Sequence, residues 1–147
     1  MHVQLQIEID AAGLEELRRL ARERVPDARR DMVESAVRHT LVNTIRGNPV
    51  DTARSRASWV QSLERLGGTP PAGWRGPRPL QFAIDEGRSL ARLEQDDGPH
   101  QTTVTATSRV FYVPYLEYGT SERPPYAMLQ RALAVTRLML PRLFRLD

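Results

Sequence analysis

The sequence predicts one α+β domain over residues 1–147, with a small antiparallel sheet packed against a long N-terminal helical segment and a C-terminal helix closing the fold. Three observations predict it. Val3, Leu5, Ile7 and Ile9 alternate with polar side chains, and the threonine-rich stretch Gln101–Val110 alternates again, both with the period of a half-exposed strand. From Leu14 to Ile45 apolar residues instead recur at helical spacing. A third stretch, from Met128 to Leu138, repeats that helical spacing near the end of the chain.

In order, the opening strand leads to Asp10, a competent helix N-cap. Leu14, Leu17, Leu20 and Ala21 then mark a helix ending near Arg24 or Val25. Pro26 suits the first turn of a second helix with Met32, Val33, Ala36, Val37, Leu41, Val42 and Ile45 as its apolar stripe, closed by Gly47-Asn48-Pro49. The pattern fits a helix pair or one long kinked helix. Residues Ala53 to Trp59 fit either a short helix, with Asp51 or Thr52 as its cap, or the start of a strand. Gly67 to Pro79 holds four glycines and four prolines and reads as a long loop. Pro79 to Gln95 reads as a helix through Leu80, Ile84, Leu90 and Leu93, with Gly87 a weak point, and Asp96-Asp97-Gly98-Pro99 as a turn. The last helix is expected to start at Pro124-Pro125, bury Met128, Leu129, Ala132, Leu133, Val135 and Leu138, and stop before Pro141. The tail 142–147 is expected to fray or to dock on a neighbour.

Composition narrows the function. There is no cysteine, which excludes disulfides, thiolate metal sites and thiol redox chemistry. All 21 basic residues are arginine and 18 acids offset them, leaving a net charge of +3, weak grounds for nucleic-acid binding. No apolar run approaches the roughly 20 residues of a membrane span, and the N-terminus lacks a signal-peptide pattern. His2, His39 and His100 have no carboxylate at a relay or ligand spacing, and no serine stands in a nucleophile elbow. The expectation is a soluble non-enzyme without metal or cofactor.

Two polar-aromatic stretches stand out. In Phe111–Ser121, three of the four tyrosines (Tyr112, Tyr115 and Tyr118) surround the single acid Glu117, which Gly119 follows closely. A carboxylate among rings must be met by an arginine or by backbone donors. The earlier stretch Val50–Trp59 supplies Arg54 and Arg56, so the two stretches are expected to clasp. Asp51, Arg56, Trp59, Glu117 and Tyr118 would hold the clasp, Thr52 would cap a helix, and Gly119 would take a positive φ. Trp74, between Arg75 and Arg78 in the long loop, is either a partner anchor or tucked onto its own core; Arg142 and Phe144 in the tail are further interface candidates.

Val50-Asp51-Thr52-Ala53-Arg54-Ser55-Arg56-Ala57-Ser58-Trp59, followed at a distance by Tyr112-Val113-Pro114-Tyr115-Leu116-Glu117-Tyr118-Gly119-Thr120, resembles the paired signature of a tail-component family of long-tailed phages. These are the tail-completion and head-tail joining proteins, among them lambda minor tail protein Z. The family pattern reads roughly Val-Asp-Thr-Gly-x-Leu-x-x-Ser-Trp and then Tyr-Ala-x-x-Leu-Glu-Tyr/Phe-Gly-Thr. Asp51, Thr52, Ser58, Trp59, Tyr112, Leu116, Glu117, Tyr118, Gly119 and Thr120 match it, whereas Ala53 replaces the glycine, Ser55 the leucine and Val113 the alanine.

The resemblance implies a virion structural subunit, assembled in the host cytoplasm into a ring of six at the neck or the head-proximal end of the tail. Its neighbours would be a tail tube or tail terminator protein on one side and a head-completion or adaptor protein on the other. Genomic DNA would pass through without specific binding. A tail terminator or neck adaptor in the same particle is the nearest alternative, and a nucleic-acid-binding module a more distant one.

Overall fold

The computed structural model describes residues 11–146. The opening strand and its Asp10 cap lie outside the described residues. The fold is α+β, as its sequence predicts: a long N-terminal helix, a two-stranded antiparallel sheet and a C-terminal helix.

Helix α1 (Ala11–Arg19) runs through a π-helical turn, Leu20–Arg24, into α2 (Val25–Gly47), so of the two expected readings, a pair or one long helix, the chain takes the second. Pro26 explains the turn, because it has no N–H to donate and its ring crowds the preceding turn. A wider turn absorbs that misfit, and Val25 N–H reaches back to the carbonyl of Leu20.

The first signature segment resolves as helix α3 (Arg54–Arg65), with Ser55, Ala57, Ser58, Trp59, Val60, Ser62 and Leu63 buried. Neither Asp51 nor Thr52 caps it; Ala53 occupies the cap position in left-handed backbone, φ 71° and ψ 8°, without a side-chain cap bond. The predicted helix 79–95 is shorter, α4 (Gln81–Ser89), and the chain then turns into strand β1 (Ala91–Asp97). Leu93 and the Asp96-Asp97 pair therefore belong to a strand, and the turn is Gly98–Gln101, closed by Gly98 N–H to the carbonyl of Gln101 at 2.8 Å. Strand β2 (Thr102–Ser108) pairs back with Ala91 opposite Ser108 and Asp97 opposite Thr102.

Helix α5 (Val113–Tyr118) carries the second signature, and α6 (Met128–Leu143) ends the fold. Helix α6 starts three residues after the expected Pro124-Pro125 and runs through Pro141, whose missing N–H costs only one bond in the last turn. It buries Met128, Ala132 and Thr136, while Leu133, Val135 and Leu138, expected inside, are exposed, Leu138 to 82%.

The core sits between α2, α3 and α6, around Leu41, Ile45, Trp59, Val60, Leu63, Ile84, Val110 and Met128. Polar bonds tie the layers together. Ser58 Oγ meets Ser108 Oγ at 2.7 Å, joining α3 to β2, and Thr136 Oγ1 meets His39 Nδ1 and Thr40 Oγ1 at 2.9 and 2.8 Å, joining α6 to α2. The hairpin tip is fixed to α2 by Arg29, which donates to the Gly98 carbonyl at 2.7 Å and to Thr102 Oγ1 at 3.0 Å.

Candidate functional site: a cleft between the two signature segments

The loop after Gly119 owes its shape to one glycine and one threonine. Gly119 has φ 77°, a backbone that disfavours side chains, and an added Cβ would stand 2.7 Å from the Arg123 carbonyl oxygen and 2.8 Å from Pro125 N. Thr120 Oγ1 accepts from the N–H groups of Glu122 and Arg123 at 3.3 and 3.2 Å, and Thr120 N–H donates to the Arg123 carbonyl at 2.9 Å. The chain then returns to α5 through Tyr126 N–H on the Leu116 carbonyl, 2.9 Å.

Glu117 is 4% exposed, so its carboxylate needs donors. It finds them on the main chain: Leu129 N–H donates to Oε2 at 2.9 Å and Gln130 N–H to Oε1 at 3.0 Å. Those are N–H groups of the first turn of α6, which have no partner inside the helix. Ala127, at the cap position in left-handed backbone with φ 50°, has no side chain able to serve them. Glu117 thus caps α6 from α5, and the helix dipole favours a negative group there.

The expected arginine clasp is therefore replaced. Arg54 pairs with Glu86 of α4 at 2.6 Å, and Arg56 donates to the carbonyls of Asn48 at 2.6 Å and Trp74 at 3.2 Å. Burial lowers the pKa of Arg56 from the ordinary arginine value. Arg56 thus holds the Gly/Pro-rich loop to the end of α2 and does not reach Glu117.

The two segments nevertheless face each other. Pro49–Ser55 form one wall, and Tyr112, Tyr115, Leu116, Thr120, Glu122, Arg123, Pro124 and Tyr126 the other, of an open cleft of about 710 Å³. Of the predicted residues, Asp51 and Thr52 stand on the first wall and Tyr112, Tyr115, Leu116 and Thr120 on the second. Ser58 and Trp59 lie behind them in the core, Glu117 beneath, and Tyr118 is exposed. Asp51 is exposed and 3.9 Å from Arg78, so neither it nor Tyr118 holds the segments together. Glu122, Arg123 and Tyr126 were not anticipated; the turn-forming Gly119-Thr120 was the signal that the chain would fold back there.

Trp74 is 8% exposed, capped by the guanidinium groups of Arg75 and Arg88 at 5.3 and 5.8 Å from its ring centre. It is a core residue, not a surface anchor, while Arg75 and Arg78 remain exposed. Arg142, with Leu143, Arg145 and Leu146, lies along the start of α2, opposite Asp27 and Asp31, and the side chain of Phe144 is exposed. The described tail is thus placed against its own chain.

Among the described residues no cluster of three or more histidine, aspartate or glutamate side chains is arranged to hold a metal ion, and no helix is long and apolar enough to cross a membrane. The cleft brings together aromatic rings, backbone and a few charged groups. Comparisons with protein-family models, with curated proteins and with solved structures find no match for this chain.

Proposed function

We propose that the protein is a virion structural subunit, one of a ring of six at the head-tail junction of a long-tailed phage particle, completing the tail and joining it to the head. The supporting observation is local and physical. The two positions that the family pattern writes as glycine, 53 and 119, both have a positive φ here, 71° and 77°. Ala53 thus stands where glycine would sit without strain. The two signature segments, distant in sequence, also share one cleft. Tyr112, Tyr115 and Tyr126 line it, the last two exposed, which gives it the aromatic surface that protein contacts favour.

The nucleic-acid reading is weaker on the same grounds. Several arginines on the long helix are matched by acids: Arg19 with Glu16 at 2.7 Å, Arg30 with Asp27 at 3.1 Å and with Asp97 at 3.3 Å, and Arg38 with Glu34 at 3.8 Å. Such a face is solvated and balanced rather than a phosphate track.

Electron microscopy of particles made from the encoding genome with this gene deleted tests the proposal. Filled heads beside separate tails of normal length are expected. Tails of uncontrolled length would move the subunit to the terminator position, and normal infectious particles would overturn the virion role.

A further inference from the structure

We propose that the N-terminal segment 3–9 of one copy adds as a third strand to the open edge of β2 in the next, a head-to-tail contact that builds the ring. This deepens the ring reading and rests on it for the identity of the partner, a second copy of the chain.

The acceptor is a strand edge whose main chain is unused. The hairpin is bonded at its tip through Gly98 N–H on the Gln101 carbonyl and at its base through Arg109 N–H on the Leu90 carbonyl, 2.8 and 2.9 Å. Bonded pairs alternate along an antiparallel ladder, so between those ends Asp96 bonds with Thr103, Glu94 with Thr105 and Arg92 with Thr107. The N–H and C=O groups of Thr102, Val104, Ala106 and Ser108 therefore point away from β1, and no main-chain group among the described residues meets them. The side chains of Val104 and Ala106 pack against the core, while Thr103, Thr105 and Thr107 are exposed.

The two edges of the hairpin are not equivalent. Strand β1 carries Arg92, Glu94, Asp96 and Asp97, charges of the kind that guard an edge against pairing. Strand β2 carries none, only threonine, valine, alanine and serine. Ala106 also lines an apolar groove of about 370 Å³ shared with Val37 and Leu41 of α2 and Leu129, Leu133 and Leu140 of α6. A strand that fits this edge must be apolar on alternate residues, closing the groove with one face and meeting water with the other.

The chain has a segment of that pattern to offer. Residues 3–9, outside the described structure, alternate Val3, Leu5, Ile7 and Ile9 with Gln4, Gln6 and Glu8, and they match the seven residues of β2 in length. They cannot pair with β2 of their own chain. Ile9 stands two residues before Ala11, so covalent reach keeps it within roughly 7 Å of the helix start. Arg29, which holds Thr102 at the nearer end of β2, stands about 27 Å further along the continuous helix, and Ala106, beside Val37, lies beyond it. Donor and acceptor are different patches, so the contact is heterologous and propagates from copy to copy, closing where the rotation allows.

The chain has no cysteine, so introduced thiols report their own contact. Full-length proteins with one cysteine at each of positions 3 to 8 are mixed singly with Ala106→Cys or Thr105→Cys protein and oxidised, and the dimers are identified by mass. Ala106 faces the core and Thr105 the solvent. Val3→Cys, Leu5→Cys and Ile7→Cys are therefore expected to join chiefly Ala106→Cys, and Gln4→Cys, Gln6→Cys and Glu8→Cys chiefly Thr105→Cys, each several-fold above the opposite combination. Yields independent of this alternation, or no mixed dimer, would overturn the proposal. So would equal capture by Gln95→Cys on the β1 edge, or a disulfide closed within one chain carrying Ile7→Cys and Ala106→Cys. Ala106→Pro removes an outward N–H that the β1 ladder does not use. Added to Thr105→Cys in protein whose circular dichroism is unchanged, it is expected to reduce capture several-fold, and undiminished capture would overturn the proposal. The two readings fail separately. Alternating capture together with normal particles after gene deletion would remove the virion role and leave this interface; unjoined heads and tails without such capture would remove the interface and leave the role.

Discussion

Glu117→Ala removes the one side chain that serves two N–H groups in the first turn of α6. Both bonds go to a carboxylate, a class that contributes about 1.5–3 kcal/mol each where measured. Loss of a helix N-cap costs about 1 kcal/mol, and up to about 2. The two figures describe overlapping effects at one site, and water entering the vacated space would serve the N–H groups in part. A loss of about 2–3 kcal/mol is therefore expected. For a domain of this size that lowers the melting temperature by about 5–10 °C. Differential scanning calorimetry of the full chain reads it, and hydrogen exchange at the Leu129 and Gln130 amides should speed up selectively. Glu117→Gln, which keeps one acceptor oxygen, should fall between the two proteins. An unchanged melting temperature for the alanine variant would refute remote capping.

Two further predictions concern contacts elsewhere in the fold. Gly87 lies where α4 presses on the start of α3; a Cβ there would stand 2.0 Å from the Arg54 carbonyl oxygen, a backbone atom with little freedom to move. Gly87→Ala should therefore cost at least the upper end of the roughly 1–3 kcal/mol of overpacking, against the roughly 1 kcal/mol that alanine gains in a free helix; a raised urea midpoint would contradict it. At the hairpin tip, the Thr102 hydroxyl, with help from Arg30 and Arg29, holds the Asp97 carboxyl below the ordinary aspartate range. Because the folded value is the lower one, Asp97 supports the fold above its unfolded pKa, and that support is lost as pH falls through the folded one. An NMR titration should find the Asp97 midpoint depressed, and Thr102→Val should move it back up; identical midpoints would remove the hydroxyl as the main cause.

The parts of the fold that were legible are those in which side-chain spacing reports the partner surface. The long helix shows in Leu41 and Ile45, strand β2 in its alternation, and Gly119 in the turn it makes possible. Strand β1 was misread because its residues face water along most of their length and give no clear period two, while Leu90 and Leu93 happen to stand three apart, as on a helix. Trp74 sits among glycines and prolines that read as exposed loop, yet Arg56 fastens its carbonyl and two guanidiniums cover its ring. The partner of Glu117 was hidden for a different reason. A carboxylate in the sequence suggests an arginine, but its donors here are main-chain groups of a helix that begins at Met128, and no residue type advertises a bare helix end. Conversely, the exposure of Leu133 and Leu138 on α6 contradicts a purely internal reading of apolar spacing, and it points to surface that another chain can cover.

The most direct test of the joining role uses the heads and tails left by the gene deletion. Purified protein added to that mixture should restore infectious, joined particles in proportion to its concentration. Filled heads and complete tails that stay separate in an excess of folded protein would contradict the account.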